Sequence, residues 1–215
     1  MTTDSARKAC VFCKGPLENP ANLKQIANAC DLLIAADGGA KYCFKIGLTP
    51  QVIIGDMDSI DSDMCKGTSG IEYIRYPADK DKSDAELAVE YALERGYEQV
   101  TMVVATGGRL DHTLGNIALV ADHPGRVAIL DGVSTLVAVD QSQKCVLRGR
   151  IGVVVSLMPW SSGPFKVRTE GLKYPLQDEC LGSATHGLSN ELSQPQACIY
   201  VSSGIILVYM ENNES

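Results

Sequence analysis

A chain of 215 residues with 45% hydrophobic content has enough apolar material for one large domain or two small ones. No apolar run reaches the roughly 18 residues of a membrane span, and the start, Met-Thr-Thr-Asp-Ser-Ala-Arg-Lys, does not read as a secretory leader, so a cytoplasmic protein is expected. A net charge of −7 argues against a nucleic-acid partner, which would want a basic face. It leaves room for ATP, provided metal ions and a few placed bases offset the phosphates.

The eight cysteines are scattered, and Cys10 and Cys13 form a lone C-x-x-C without the second pair of a zinc site. They read as reduced core or surface residues. Along the chain, Ala9 to Cys13 reads as a first strand, closed by Lys14-Gly15-Pro16. A helix over residues 21–29 and a strand over 31–36 follow, ending in Asp37-Gly38-Gly39-Ala40. After a short helix to Ile46, the apolar run Gln51-Val52-Ile53-Ile54 ends in Gly55-Asp56-Met57-Asp58-Ser59. Neither Asp56 nor Asp58 has a basic residue within six positions. Such alternating acids at a strand end repel unless a cation lies between them, and Mg²⁺ held by one or two carboxylates and phosphate oxygens is one solution. An ordinary turn is the other.

Ile71 to Tyr76 reads as a fourth strand, stopped by Pro77. Ser83 followed three residues later by Glu86 is a capping box, and Ala85, Ala88, Val89 and Ala92 form an apolar helical stripe behind it. Asp84 then falls in the first turn, where the helix dipole favours an acid. Val100 to Ala105 is a strongly apolar strand suited to the middle of a sheet, followed by Thr106-Gly107-Gly108-Arg109 and a helical stripe at Leu114, Ile117, Ala118 and Ala121. Glycines at a strand-to-helix turn let main-chain N–H groups approach phosphate, and Arg109 would add a forked donor. The strand Val127 to Leu130 ends at Asp131-Gly132, and from Val133 onwards short β-branched runs broken by Gly, Ser and Pro replace helical stripes.

The expected fold is therefore α/β: an N-terminal, mainly parallel sheet with helices on both faces, then a smaller all-β sandwich or barrel. The boundary is placed at 132, giving domains 1–132 and 133–215, with a frayed end at Glu211 to Ser215. In an open α/β sheet, ligands bind beyond the carboxyl ends of the strands. Turns carrying Asp37, Asp56 with Asp58, Asp81 with Asp84, and Arg109 would share that edge if the sheet is parallel. The pattern points to Mg²⁺-assisted phosphoryl chemistry, without the G-x-x-x-x-G-K-[ST] loop of P-loop enzymes.

The series Ala36-Asp37-Gly38-Gly39-Ala40, Gly55-Asp56-Met57-Asp58-Ser59, Lys80-Asp81-Lys82-Ser83-Asp84 and Gly107-Gly108-Arg109-Leu110-Asp111-His112, in this order and spacing, resembles the thiamine pyrophosphokinase family. Gly171-Leu172-Lys173-Tyr174-Pro175-Leu176 and Leu188-Ser189-Asn190-Glu191 extend the resemblance into the second domain. It implies transfer of a diphosphate group from ATP to the hydroxyl of thiamine, giving thiamine diphosphate and AMP. The first domain would be catalytic and the second would bind thiamine and form a homodimer with shared sites. Asp56, Asp58 and Asp84 would be the Mg²⁺ carboxylates, with Asp37 and Asp81 near the metal or the thiamine hydroxyl. Gly38, Gly39, Lys82, Gly107, Gly108 and Arg109 would hold ATP, with Asp111 and His112 shaping that pocket. Ser189 and Asn190 would bind the aminopyrimidine, with Tyr174 stacked on it. Two readings compete: another Mg²⁺-dependent ATP-using kinase or nucleotidyl transferase, and a ligand-binding sensor without turnover.

Overall fold

The structure, a computed structural model, describes residues 6–59, 69–160, 164–182 and 185–212. The last three residues of the expected frayed end lie outside them. The chain divides into two compact units, one formed by residues 1–117 and 129–132, the other by 118–128 and 133–215.

In chain order the first unit holds β1 (Lys8–Phe12), α1 (Pro20–Asn28), β2 (Leu32–Ala36), α2 (Gly39–Lys45), β3 (Val52–Gly55), β4 (Glu72–Arg75), α3 (Asp84–Glu94), β5 (Gln99–Val103), most of α4 (Leu110–Asp122) and the second half of β6 (Val127–Leu130). Its strands lie in the order β6-β5-β1-β2-β3-β4, and β1 to β5 pair in parallel. Every residue of β2 and β3 is buried, so these strands read as continuous apolar runs; a parallel strand covered on both faces needs no polar alternation. One face packs Cys10, Phe12, Leu33, Ala35 and Ile53 against Leu23 and Ala27 of α1 and Ala40 and Cys43 of α2. The alternate positions, among them Val11, Ile34 and Ile54, are also buried. They point to the other face, where α3 packs across β1, β2, β3 and β5.

The handedness of the crossovers accounts for this division. From β1 the chain steps outward through β2, β3 and β4, then α3 carries it back across to β5 on the far side of β1. Right-handed connections running in opposite directions put their helices on opposite faces. The strand order reverses between β1 and β5, and that is where an open sheet leaves a crevice.

The second unit contains β7 (Ser134–Val139), β8 (Cys145–Arg148), β9 (Val154–Pro159), β10 (Lys166–Glu170), β11 (Glu179–Cys180), β12 (Asn190–Glu191), β13 (Gln196–Ser203) and β14 (Ile206–Glu211). Two antiparallel layers, β12-β9-β14-β7 and β11-β10-β13-β8, face each other. Val155, Leu157, Ile206 and Val208 from the first layer and Leu147, Val167, Ile199 and Val201 from the second share one core. This is a β-sandwich, the second fold element expected from the broken β-branched runs. The β-branched run from Ile151 to Leu157 enters its strand only at Val154, residues 151 and 152 forming a turn before β9, and the run from Ile205 to Tyr209 enters β14 at Ile206.

Candidate active site

A cavity of about 630 Å³ opens in the first unit at the reversal point, lined by the loop after β1 (Cys13, Lys14, Gly15), the ends of β2 and β3, the segment leading into α3, and the turn before α4. Its size suits a nucleotide-scale ligand. Of the residues singled out in the sequence, Asp37, Asp56, Asp81, Lys82, Asp84, Gly108, Arg109, Asp111 and His112 line it. Asp58, Gly38, Gly39 and Gly107 do not. Tyr174, Ser189 and Asn190 belong to the second unit.

Asp37 follows β2 in a left-handed conformation, φ 41°, with its N–H donating to the Ile54 carbonyl across the strand ends (2.8 Å). The next turn allows nothing but glycine at 39: a methyl there would collide with the Phe12 carbonyl oxygen. Gly55 does similar service, since a Cβ there would stand 2.9 Å from Asp37 Cβ and 3.3 Å from Asp84 Oδ1. Asp37 and Asp84, from β2 and α3, thus converge on one bare glycine at the end of β3. α3 begins where the capping box predicts, Ser83 Oγ accepting the Glu86 N–H at 3.1 Å, and this sets Asp84 as the first helical residue.

Each of the two acids is only partly satisfied. Asp37 is 8% exposed, and its Oδ1 and Asp84 Oδ1 are buried without a hydrogen bond. Lysines supply the nearest positive charge. Lys14 Nζ lies 3.3 Å from Asp37 Oδ2 and donates to Ser59 Oγ at 2.9 Å. Lys80 Nζ stands 2.9 Å from Asp84 Oδ1 as an ion pair, with its hydrogen bond given instead to the Pro77 carbonyl. Buried carboxylate oxygens without donors are costly, and a divalent cation relieves that cost. Among the described residues, however, no three His, Cys, Asp or Glu side chains are grouped closely enough to hold a metal ion by themselves. Asp56 lines the cavity and accepts the Asp58 N–H at 3.0 Å, while Asp58 is exposed. The residues therefore fit an ion of the Mg²⁺ type, which takes one or two carboxylates and draws its remaining ligands from phosphate and water, better than they fit an all-protein cage.

On the opposite wall Arg109 is paired with Asp111 through two contacts, Nε to Oδ1 at 3.1 Å and Nη2 to Oδ2 at 2.5 Å. The guanidinium pulls the Asp111 carboxyl down to about 2. Both side chains are mostly exposed, so the pair is a movable one. Lys82 leans away along α3 to grip Glu90 at 2.6 and 2.7 Å, which raises its pKa.

In the second unit Asn190 is 7% exposed and its amide bonds to main chain: Oδ1 accepts from Tyr174 N (3.1 Å) and Glu191 N (2.8 Å), and Nδ2 donates to the Tyr174 carbonyl (2.7 Å). The Tyr174 ring is left 61% exposed, with Lys173 Nζ 5.5 Å from its centroid. Ser189 adopts φ 57° and donates its N–H to Ser156 Oγ at 3.1 Å.

Two residues that line the cavity, Lys80 and Asn116, and one behind its turn, Asp131, were not singled out from the sequence. Lys80 sits inside the acidic cluster and was masked by its neighbours. Asn116 reaches back from α4 to the Ala105 carbonyl at 2.7 Å; it lies off the apolar stripe of its helix, and no sequence signal marked it. Asp131, behind the turn, ends a strand in the manner of Asp37 and Asp56, and that shared placement was legible.

Sequence profiles of two domains match the chain: "Thiamin pyrophosphokinase, catalytic domain" over residues 23–130 and "Thiamin pyrophosphokinase, vitamin B1 binding domain" over residues 137–206. The thiamine pyrophosphokinase of Bacillus subtilis (strain 168) is 29% identical over 189 residues, which span 82% of this chain and 86% of that protein. Among solved structures, the thiamin pyrophosphokinase of Geobacillus thermodenitrificans superposes with a TM-score of 0.82 at 26% identity, covering 97% of this chain and 99% of that one. The crystal structure of the Bacillus subtilis protein gives the same TM-score of 0.82 at 24% identity, a likeness of fold.

Proposed function

The chain belongs to the thiamin pyrophosphokinase family, and from that membership we propose that it transfers the diphosphate group of ATP to the hydroxyl of thiamine, releasing AMP, in an Mg²⁺-dependent reaction. The observation that carries the reading is the convergence on Gly55, at the end of β3, of Asp37, whose Oδ1 is buried without a hydrogen bond, and Asp84, whose buried Oδ1 has the Lys80 ammonium beside it at 2.9 Å. Partly unsatisfied carboxylates at one point suit a metal–polyphosphate complex.

Asp37 and Asp84 are the carboxylates that would hold Mg²⁺ from the protein side, with Asp56 lining the same cavity and Asp58 at the rim of its turn. When bound, the ion supplies neutralising charge at the polyphosphate oxygens. Lys14 and Lys80, which pair with Asp37 and Asp84, are then free to turn to phosphate. Arg109 exchanges Asp111 for phosphate oxygens, keeping the bidentate geometry it already shows. The Gly107-Gly108 turn admits the polyphosphate close to main chain. Asp81, exposed at the cavity edge, accepts the proton of the thiamine hydroxyl as that oxygen bonds to the β-phosphorus and the α,β-bridging oxygen leaves with AMP. In the second unit, Ser189 contacts the aminopyrimidine and the Tyr174 ring supplies a stacking face. Asn190, whose amide is committed to the Tyr174 main chain, serves chiefly by fixing that ring. The exposed apolar side chains Trp160, Tyr174 and Leu188 support a homodimer as the working form.

Incubation with Mg-ATP and thiamine, followed by mass spectrometry, is expected to yield thiamine diphosphate and AMP in equal amounts, and none after EDTA. ADP or free pyrophosphate as the product would replace this reading with another ATP-using transferase. Binding of both ligands without turnover would leave a sensor.

A further inference from the structure

The turn assigned to polyphosphate hangs from a strained piece of main chain. β5 ends at Val103, and Val104 adopts φ 54°. A β-branched residue enters the left-handed region only when its surroundings impose it. Here the surroundings can be named. The carbonyls of Val103 and Val104 accept from Cys13 N at 3.0 Å and Gly15 N at 2.7 Å, which ties the segment to the loop after β1. Gly15 lies so close that a methyl on it would collide with the carbonyl oxygens of Val104 and Thr106.

Asp131, at the end of β6, closes the arrangement from behind. Its Oδ1 accepts the Ala105 N–H at 3.2 Å, and its Oδ2 accepts the Thr106 hydroxyl. Asn116 holds the other end of the same residue, Nδ2 to the Ala105 carbonyl at 2.7 Å. Asp131 does not line the large cavity. With Val104, Thr106 and Gly107 it borders a separate space of about 100 Å³ on the other side of the turn. An acid with both oxygens spent on the main chain and hydroxyl of a turn whose far side faces the cavity has a mechanical role.

We propose that Asp131 is a positioning residue for ATP: acting through Ala105 and Thr106, it holds the Gly107-Gly108-Arg109 turn in the shape that receives the polyphosphate. The proposal rests on reading the cavity as the ATP site. A carboxylate is suited to the position because both of its oxygens must accept. The strain at Val104 is the reason a clamp is needed, since without one the segment relaxes and Gly108 and Arg109 leave the cavity wall.

The test uses the full-length protein and three variants, Asp131→Ala, Thr106→Val and Thr106→Ser. It reads KM for ATP, KM for thiamine, kcat, and the affinity for Mg²⁺ with a non-hydrolysable ATP analogue measured by calorimetry. Thr106→Val keeps the side-chain shape and removes only the hydroxyl. It is expected to weaken both ATP KM and analogue binding about tenfold, in line with the loss of a hydrogen bond to a charged acceptor. KM for thiamine should stay within about twofold, Thr106→Ser should restore the parent values, and Asp131→Ala should exceed Thr106→Val. The core truncation Leu48→Ala controls for stability, lowering the thermal midpoint with ATP affinity intact. If Thr106→Val and Asp131→Ala bind the analogue as tightly as the parent while only their midpoints fall, Asp131 supports the fold and does not position the nucleotide. Should Asp131→Ala fail to fold, the Thr106→Val and Thr106→Ser pair decides alone. A parent that binds the analogue but makes no thiamine diphosphate overturns the proposed reaction and leaves the clamp standing, provided Thr106→Val still weakens binding. A parent that binds no nucleotide overturns both.

Discussion

Asp37 and Asp84 carry equivalent chemistry in different settings, and the difference decides how each responds to substitution. The Lys14 partner of Asp37 has a side chain 63% exposed, whereas the Lys80 partner of Asp84 is 15% exposed. Asp37→Asn removes a buried charge and releases a lysine that water can solvate, so the thermal midpoint of the ligand-free protein should hold or rise. Asp84→Asn leaves Lys80 confined without its counter-charge, and its midpoint should fall. Both should lose turnover by a factor of roughly 10²–10³, the usual loss when one group stabilising developing charge is removed. Scanning fluorimetry with the product assay checks this: Mg-ATP should raise the midpoint of the parent and leave Asp37→Asn nearly unmoved. An equal shift in that variant would remove Asp37 from the ion site. Asn190 shows a different limit. Its Oδ1 accepts two main-chain N–H groups and one of its two amide N–H donors is given to the Tyr174 carbonyl, which leaves one N–H for a substrate.

At the level of elements, glycines mark where backbone approaches backbone and where it does not. Gly39 opens α2 against the carbonyl of Phe12, a rigid strand atom that cannot give way. Gly39→Ala should therefore cost roughly 1–3 kcal/mol or more and displace the Asp37 turn. Gly115, inside α4, has no described atom within 4 Å of its Cβ position apart from its chain neighbours and its own helix's backbone. There alanine improves helix propensity by roughly 0.8–1.0 kcal/mol, and Gly115→Ala should be more stable than the parent in urea. A reversed order would contradict the close approach of α2 to β1. Helix starts were readable because Ser83 and the Glu86 N–H meet within one turn. The end of β5 was not: the apolar run continues to Ala105, while the strand stops at Val103 because β1's loop and Asp131 capture the next residues.

On the scale of the whole molecule, the first unit's core is unusual in its thiols. Cys10, Cys13 and Cys43 are buried there, and the described cysteines are all free. Burial pushes the Cys13 thiol up from 9.0 to about 12, with the Asp131 charge adding to it, and burial also raises Cys43. The sign follows from proton counting. Below pH 9 both folded and unfolded thiols are protonated and nothing changes. Between about 9 and 12 the unfolded chain has lost the Cys13 proton and the folded chain keeps it, so stability falls as pH rises. The slope is roughly 1.4 kcal/mol per pH unit for this thiol alone. Thermal midpoints should be flat with respect to these groups up to about pH 9 and decline above it, and Cys13→Ala should lessen the decline. A midpoint constant to pH 10.5, by circular dichroism, would place these thiols in contact with water.

Local pattern alone determined the order of strands and helices in the first unit, the capped start of α3, the glycine turns and the change of texture at Val133, because each depends on residues within a few positions of one another; β8, β10, β11 and β12 of the second unit carried no such signal. Sheet order was beyond it. Only the folded chain returns β5 to the far side of β1, and with that step the loop carrying Lys14 comes against the turn carrying Arg109. Tertiary packing likewise decided that Asp37 and Asp84 share Gly55, that Asn190 spends its amide on Tyr174, and that Val104 is forced into a conformation its own side chain disfavours. Each of these joins segments tens of residues apart, where short-range preference carries no information and the closing of a common core does.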